Sequence, residues 1–158
     1  MEENQNDSAG VRIPPPVYFF ACLAFGLILE YFLPINIITF PLLTRVIIGG
    51  IFITISGYFA VSAFVVLIKN KTTFDTSKLT TVIVYRGSFR YSRNPLYFSL
   101  LLLLIGIAIL FFSIWLFLLV PVLFIVFLIK AVKPEVRYLS QKFGKEYLDY
   151  SAKVRRWI

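Results

Sequence analysis

The run LYFSLLLLLIGIAILFFSIWLFLLVPVLFIVFLI, Leu96 to Ile129, holds 34 residues without a charge. At roughly 1.5 Å per residue, one straight helix of that length overshoots the roughly 30 Å hydrocarbon core of a bilayer by about 20 Å, whereas two short spans folded back on each other fit it. The run therefore reads as a hairpin of two membrane helices, about 95–112 and 114–132, turning near Phe112-Ser113. No Gly, Pro or Asn marks that turn. Working outward, Val46 to Ile68 is 23 residues without a charge and reads as a span of about 44–68. Val17 to Leu33 supplies another, about 15–33, closed by Pro34 and interrupted only by Glu30, whose carboxylate can reach the interface.

Composition agrees with four spans. Of 158 residues, 59% are hydrophobic and 18% aromatic, with a mean hydropathy of +0.83; one small soluble core cannot hide that much apolar surface. The expectation is an all-α polytopic membrane helical bundle, a single integral membrane domain over 1–158 with a polar tail over 1–13. The tail is acidic and lacks the basic start and the cleavage site of a secretory signal, so it reads as retained. After Pro134 the pattern changes. Val136, Leu139, Phe143, Tyr147 and Tyr150 recur at spacings of three and four between polar residues, predicting an amphipathic helix over about 134–153, broken or bent at Gly144. Such a helix lies along the cytosolic interface or folds over the ends of the spans.

Four spans put the tail, the loop 69–95 and everything after Ile129 on one side. Of 16 Lys and Arg residues, Arg45 alone then falls on the other. Cationic residues stay cytoplasmic during insertion, so both termini are expected in the cytosol. The net charge of +8 needs no nucleic acid as partner: a basic fringe beside a bilayer is attracted to anionic lipid at about 1 kcal/mol per residue. The sole cysteine, Cys22, lies within the first span and excludes a disulfide framework or a thiol metal site. Without histidine, the commonest general base and metal ligand are missing too, and no metal is expected.

Chemistry concentrates in the cassette Arg90-Tyr91-Ser92-Arg93-Asn94-Pro95-Leu96-Tyr97 and in Glu135. Asn is a good N-cap and Pro suits the first helical position, so Asn94-Pro95 starts the third span at the cytosolic face. A helix start flanked by Arg90 and Arg93 makes an anion site; those arginines equally serve as interface anchors. Glu135 opens the amphipathic helix, where a carboxylate is stabilised by a helix N-terminus. The hairpin also returns the chain to the side it left, so Glu135 and the cassette can face one pocket. A zwitterionic amino-acid moiety fits that polarity, with its ammonium on Glu135 and its carboxylate near the arginines.

With Gly87-Ser88-Phe89 before the cassette, Arg137-Tyr138-Leu139 and Phe143-Gly144 after Glu135, then Tyr147, Tyr150 and Val154-Arg155-Arg156-Trp157, the chain resembles the isoprenylcysteine carboxyl methyltransferase and phospholipid methyltransferase superfamily. The likeness covers roughly residues 70–158; upstream, Pro14-Pro15-Pro16 and Lys71-Thr72-Thr73 resemble small prokaryotic members more loosely, which implies a prokaryotic inner membrane. The resemblance implies membrane helices closed on the cytosolic side around S-adenosylmethionine, and methyl transfer to a lipid-like or small hydrophobic acceptor entering from the bilayer. It maps the cofactor pocket onto Arg90, Tyr91, Arg93, Asn94, Pro95, Tyr97 and Glu135. Two departures stand out: Asn94 occupies a position that is histidine or asparagine in the family, and Val136 replaces the second acid of a Glu-Glu pair.

The sulfonium of that cofactor is already activated, so alignment is the main task, an effect that can reach about 7–11 kcal/mol. A carboxylate or thiolate acceptor needs no general base, and Arg155 or Arg156 can position it. An amine must lose a proton, and no base is obvious, which favours O- or S-methylation. The alternatives are a non-catalytic cofactor-binding relative, suggested by Val136, and a membrane scaffold or transporter. Transport usually leaves polar groups in the spans, and Leu96 to Ile129 offers little beyond Ser99 and Ser113. Oligomeric state is not legible.

Overall fold

The computed structural model describes residues 13–35, 40–69 and 86–157. The tail through Arg12, the segment with Lys71-Thr72-Thr73 and Lys78, and Ile158 lie outside the described residues. Among the described residues six α-helices follow one another: α1 Pro15–Phe32, α2 Leu42–Lys69, α3 Pro95–Phe111, α4 Ile114–Phe127, α5 Lys133–Phe143 and α6 Lys145–Lys153. A single 3-10 turn, Gly87–Arg90, precedes α3, and no strand forms among the described residues. Among the described residues three helices are long and apolar enough to cross a membrane: α1, α2 and a continuous 30-residue rod, Ile114–Phe143, that joins α4 to α5. The fourth, α3, is a shorter apolar helix of 17 residues. At roughly 1.5 Å per residue it is about 26 Å long, the lower limit for a span.

Proline and serine set the helix ends. Pro15 and Pro95 each occupy a first helical turn, where the missing N–H costs nothing. The hairpin turns at Phe112, the one non-glycine residue with positive φ among the described residues (φ 52, ψ 39), and its N–H satisfies carbonyls of Ala108 and Ile109. Ser113 then caps α4, its Oγ accepting from Leu116 N at 3.3 Å. The same hydroxyl donates to Glu30 Oε2, and Trp115 Nε1 donates to Leu33 O at 2.8 Å. The acid near the end of α1 therefore clamps the hairpin tip.

Helix α3 packs against α1, α2 and α4 and supplies much of the core: Tyr97, Leu101, Leu104 and Ala108 are buried with Phe19, Leu116, Leu123 and Phe127. Against α2 the backbones nearly touch. A Cβ on Gly106 would lie 2.7 Å from Ile53 Cγ1 and 3.0 Å from the Gly49 carbonyl, and one on Gly49 would lie 2.9 Å from the Gly106 carbonyl. Small residues permit such approach where burial in lipid supplies no hydrophobic drive between helices. Ser56 Oγ donates across the same interface to Ser99 O at 2.7 Å.

The rod is where the structure departs from expectation. The amphipathic helix was expected to start afresh at Pro134, yet the chain stays helical from α4 into α5 through a π-helical turn, Leu128–Val132. Lys133 N donates to Leu128 O, a bond one residue wider than in an α-helix. A proline two positions into α5 lacks its own N–H and crowds the carbonyl four residues back; a widened turn just before it relieves that crowding. The turn also keeps one face aligned. Leu123, Phe127 and Ala131 are all buried, with Glu135 next in the series. At a spacing of four, a straight α-helix drifts about 40° per step, and a wider turn absorbs part of that drift. The apolar stretch ends at Ile129; exposed Lys130 and Lys133 mark the rim, so Glu135 lies beyond the span. Gly144 (φ 51) separates α5 from α6, at the break the periodicity predicts.

Candidate functional site

The cassette is tied down from three directions. At its start, Ser88 N donates to Ser62 Oγ on α2 at 3.0 Å. Gly87 has φ +61, and a Cβ there would meet Val66 Cγ2 at 2.7 Å, so both the turn and the close approach require glycine. In the middle, Tyr150 of α6 donates its hydroxyl to Phe89 O at 2.9 Å. At its end, the extended strap Val154–Trp157 runs back along it: Arg93 N donates to Arg155 O at 3.1 Å, and Ser92 Oγ to Arg156 O at 3.3 Å. The Trp157 ring closes on Phe124 of α4, with centroids 4.9 Å apart.

Two local roles read from sequence are corrected. Asn94 does occupy the N-cap position before Pro95, but its side chain makes no cap bond. Instead Nδ2 donates to Arg156 O at 2.9 Å. With φ −128 and ψ 55 the backbone is not in the extended conformation usual for a capping residue, and the strap carbonyl takes the amide proton. Glu135 in turn has no helix N-terminus to sit on, because the rod runs unbroken through the π turn. Its partner is the Tyr97 hydroxyl, which donates to Oε2 at 3.1 Å.

The carboxylate is partly buried, and burial pushes its pKa up to about 7, with the Tyr97 hydrogen bond opposing. A carboxyl group at that point changes charge near neutral pH, where an incoming cation can draw off its proton.

Tyr147 is the residue that sequence reasoning missed. Its place on the amphipathic face suggested packing, and it is 3% exposed, yet charged groups surround it. Burial raises its pKa; the Arg93 guanidinium, by charge and hydrogen bond, and the Arg156 charge pull the other way, and Glu135 adds to the rise. The available signal was chemical: a buried tyrosine needs a partner for its hydroxyl. Arg93 is itself half-buried, and its Nε has no hydrogen-bond partner.

Arg93, Asn94, Tyr97, Glu135, Tyr147 and the strap at Arg156 thus form one polar knot at the end of the bundle where α3 begins. Pro95 is buried beneath it. Arg90, Tyr91, Arg155 and Arg156 carry exposed side chains, whereas Arg93 is half-buried. Val136, where a second acid was expected, packs against both the core of the spans and the Tyr147–Tyr150 cluster, an apolar joint between the two.

A family model described as phospholipid methyltransferase matches residues 44–146, about two thirds of the chain. No curated protein and no solved structure matches.

Proposed function

Because the chain belongs to the phospholipid methyltransferase family, we propose that it transfers a methyl group from S-adenosylmethionine to a lipid-like or small hydrophobic acceptor at the cytosolic face of the membrane, with both termini on that side. The observation that carries this reading is the knot itself. Glu135 offers a carboxylate suited to an ammonium, and the buried, unpartnered Nε of Arg93 suits a carboxylate. Tyr97 and Tyr147 add aromatic faces, which favour a neighbouring cation such as a sulfonium. The donor set therefore fits the cofactor's amino-acid end. When bound, S-adenosylmethionine supplies an electrophilic methyl on positively charged sulfur.

This chain's residues have a limited task in that chemistry. Glu135 and Arg93 orient by charge. Tyr97 holds the Glu135 carboxylate in place through its hydroxyl. Arg155 and Arg156, both exposed, are the candidates to position an anionic acceptor arriving along the membrane surface. A carboxylate or thiolate acceptor arrives as a nucleophile and leaves Glu135 free to serve the ammonium. One observation favours an amine instead: a carboxyl group titrating near 7 lies in the range of a general base.

The test is methyl transfer from labelled S-adenosylmethionine in membranes containing the protein. The expected product is organic-soluble and releases its label in mild alkali, as a methyl ester does; alkali-stable label on an amine headgroup supports the second acceptor. Labelling no greater than that of a Glu135→Ala control refutes the activity. Cofactor binding without transfer to any acceptor leaves a non-catalytic relative.

A further inference from the structure

Gly144–Trp157 meets the rest of the chain locally, where Tyr147 and Tyr150 pack against Val136, Leu139 and Phe143 of α5, and also through contacts far away in sequence. Gly144, at φ 51 and ψ −121, joins it to α5, and a Cβ there would meet nothing within 4 Å. Glycine is thus needed for its backbone freedom and not for space. Beyond Gly144, Tyr150 reaches Phe89 O, the strap accepts hydrogen bonds at Arg155 O and Arg156 O, and Trp157 rests on Phe124. Between hinge and strap lies Tyr147, packed 3% exposed against the site. Of the strap's polar contacts, the Asn94 amide makes the shortest, at 2.9 Å.

We propose that Gly144–Trp157 is a hinged flap over the site, and that Asn94 is a positioning residue: it latches the flap shut through the Arg156 carbonyl and so controls how fast the cofactor enters and leaves. This deepens the cofactor reading above and rests on it. Asn94 acts here through the strap and does not touch the cofactor.

Four variants test this: Asn94→Asp, which keeps the size but loses the donor; a truncation after Lys153; the combination of the two; and Asn94→Gln. All are compared as monodisperse full-fold protein in detergent, judged by helicity and elution volume. In a Trp115→Phe background, Trp157 is the only indole, and Asn94→Asp is expected to raise its acrylamide quenching constant without any ligand. Release of S-adenosylhomocysteine, followed by stopped flow, is expected to quicken about three- to tenfold in Asn94→Asp. The truncation quickens it at least as much, and adding Asn94→Asp to it changes nothing further. Asn94→Gln, which keeps an amide donor, recovers part of the slow release.

A quenching constant unchanged by Asn94→Asp overturns the latch. So does an effect on release that adds fully to the truncation, since that marks a direct cofactor contact. If the wild-type chain binds no S-adenosylhomocysteine, the proposed function fails while quenching still decides the latch.

Discussion

Replacing Tyr97 by Phe removes the hydroxyl 3.1 Å from Glu135 Oε2 and keeps the ring against Phe127, 5.5 Å between centroids. In the wild type, burial holds the Glu135 pKa at about 7 despite that bond. About half of the molecules then carry the carboxylate at pH 7, about nine tenths at pH 8 and about one tenth at pH 6. An ammonium needs the ionised form, so affinity for S-adenosylmethionine is expected to fall about tenfold from pH 8 to pH 6. The sign is opposite for the unliganded protein. An acid whose folded pKa lies above its unfolded one contributes stability fully present below the ordinary carboxylate pKa of 4.5 and lost as pH rises through about 7. Losing the Tyr97 hydroxyl takes away a hydrogen bond to a charged acceptor, about 1.5 kcal/mol. The carboxyl group of the variant therefore titrates higher, and affinity at pH 7 drops by about a further sevenfold, recovering by pH 9. Calorimetry in detergent across that pH range, in two buffers of different ionisation enthalpy, reads both affinity and protons released. Close to one proton should leave per binding event at pH 6. A flat affinity from pH 6 to 8, no proton release, or a Tyr97→Phe protein indistinguishable from wild type refutes the assignment of Glu135 to the ammonium.

Gly106→Leu pushes side-chain atoms into Ile53 and the Gly49 carbonyl; overpacking of this kind costs about 1–3 kcal/mol, and a lowered thermal midpoint in detergent is expected. Ser113→Ala removes the α4 cap and the Glu30 partner together, a loss of about 1–2 kcal/mol that lowers the same midpoint without changing cofactor affinity, since it lies at the other end of the bundle. Val136→Glu puts the missing acid into the apolar joint between the two clusters. It is expected to lower stability and leave methyl transfer no faster, which thermal unfolding and the labelled-methyl assay check; a faster enzyme would show that the family's second acid has a place here.

The membrane character and the all-α class were legible because a bilayer imposes a length on uncharged runs: Val46 to Ile68 and Leu96 to Ile129 carry that information in their composition alone. Pro95 and Gly144 also declared themselves, through a fixed φ and a free one. The turn at Phe112 left only Ser113 as a trace, a cap that is easy to pass over among hydrophobic neighbours.

Which way each span faces was not legible. Helix α3 is apolar on every side, so nothing in its pattern distinguishes buried Leu101 and Leu104 from neighbours toward lipid; steric fit at Gly49 and Gly106 makes that choice. The partners in the knot were hidden for a related reason. Glu135 and Tyr97 stand 38 positions apart, and Asn94 and Arg156 stand 62 apart. Local preference assigned Asn94 and Glu135 to helix ends, and both went to side chains or carbonyls that only packing brings near. Charge and length determined where this chain resides; close contact between remote segments, built by the π turn, the hairpin and the returning strap, decided what its few polar residues touch.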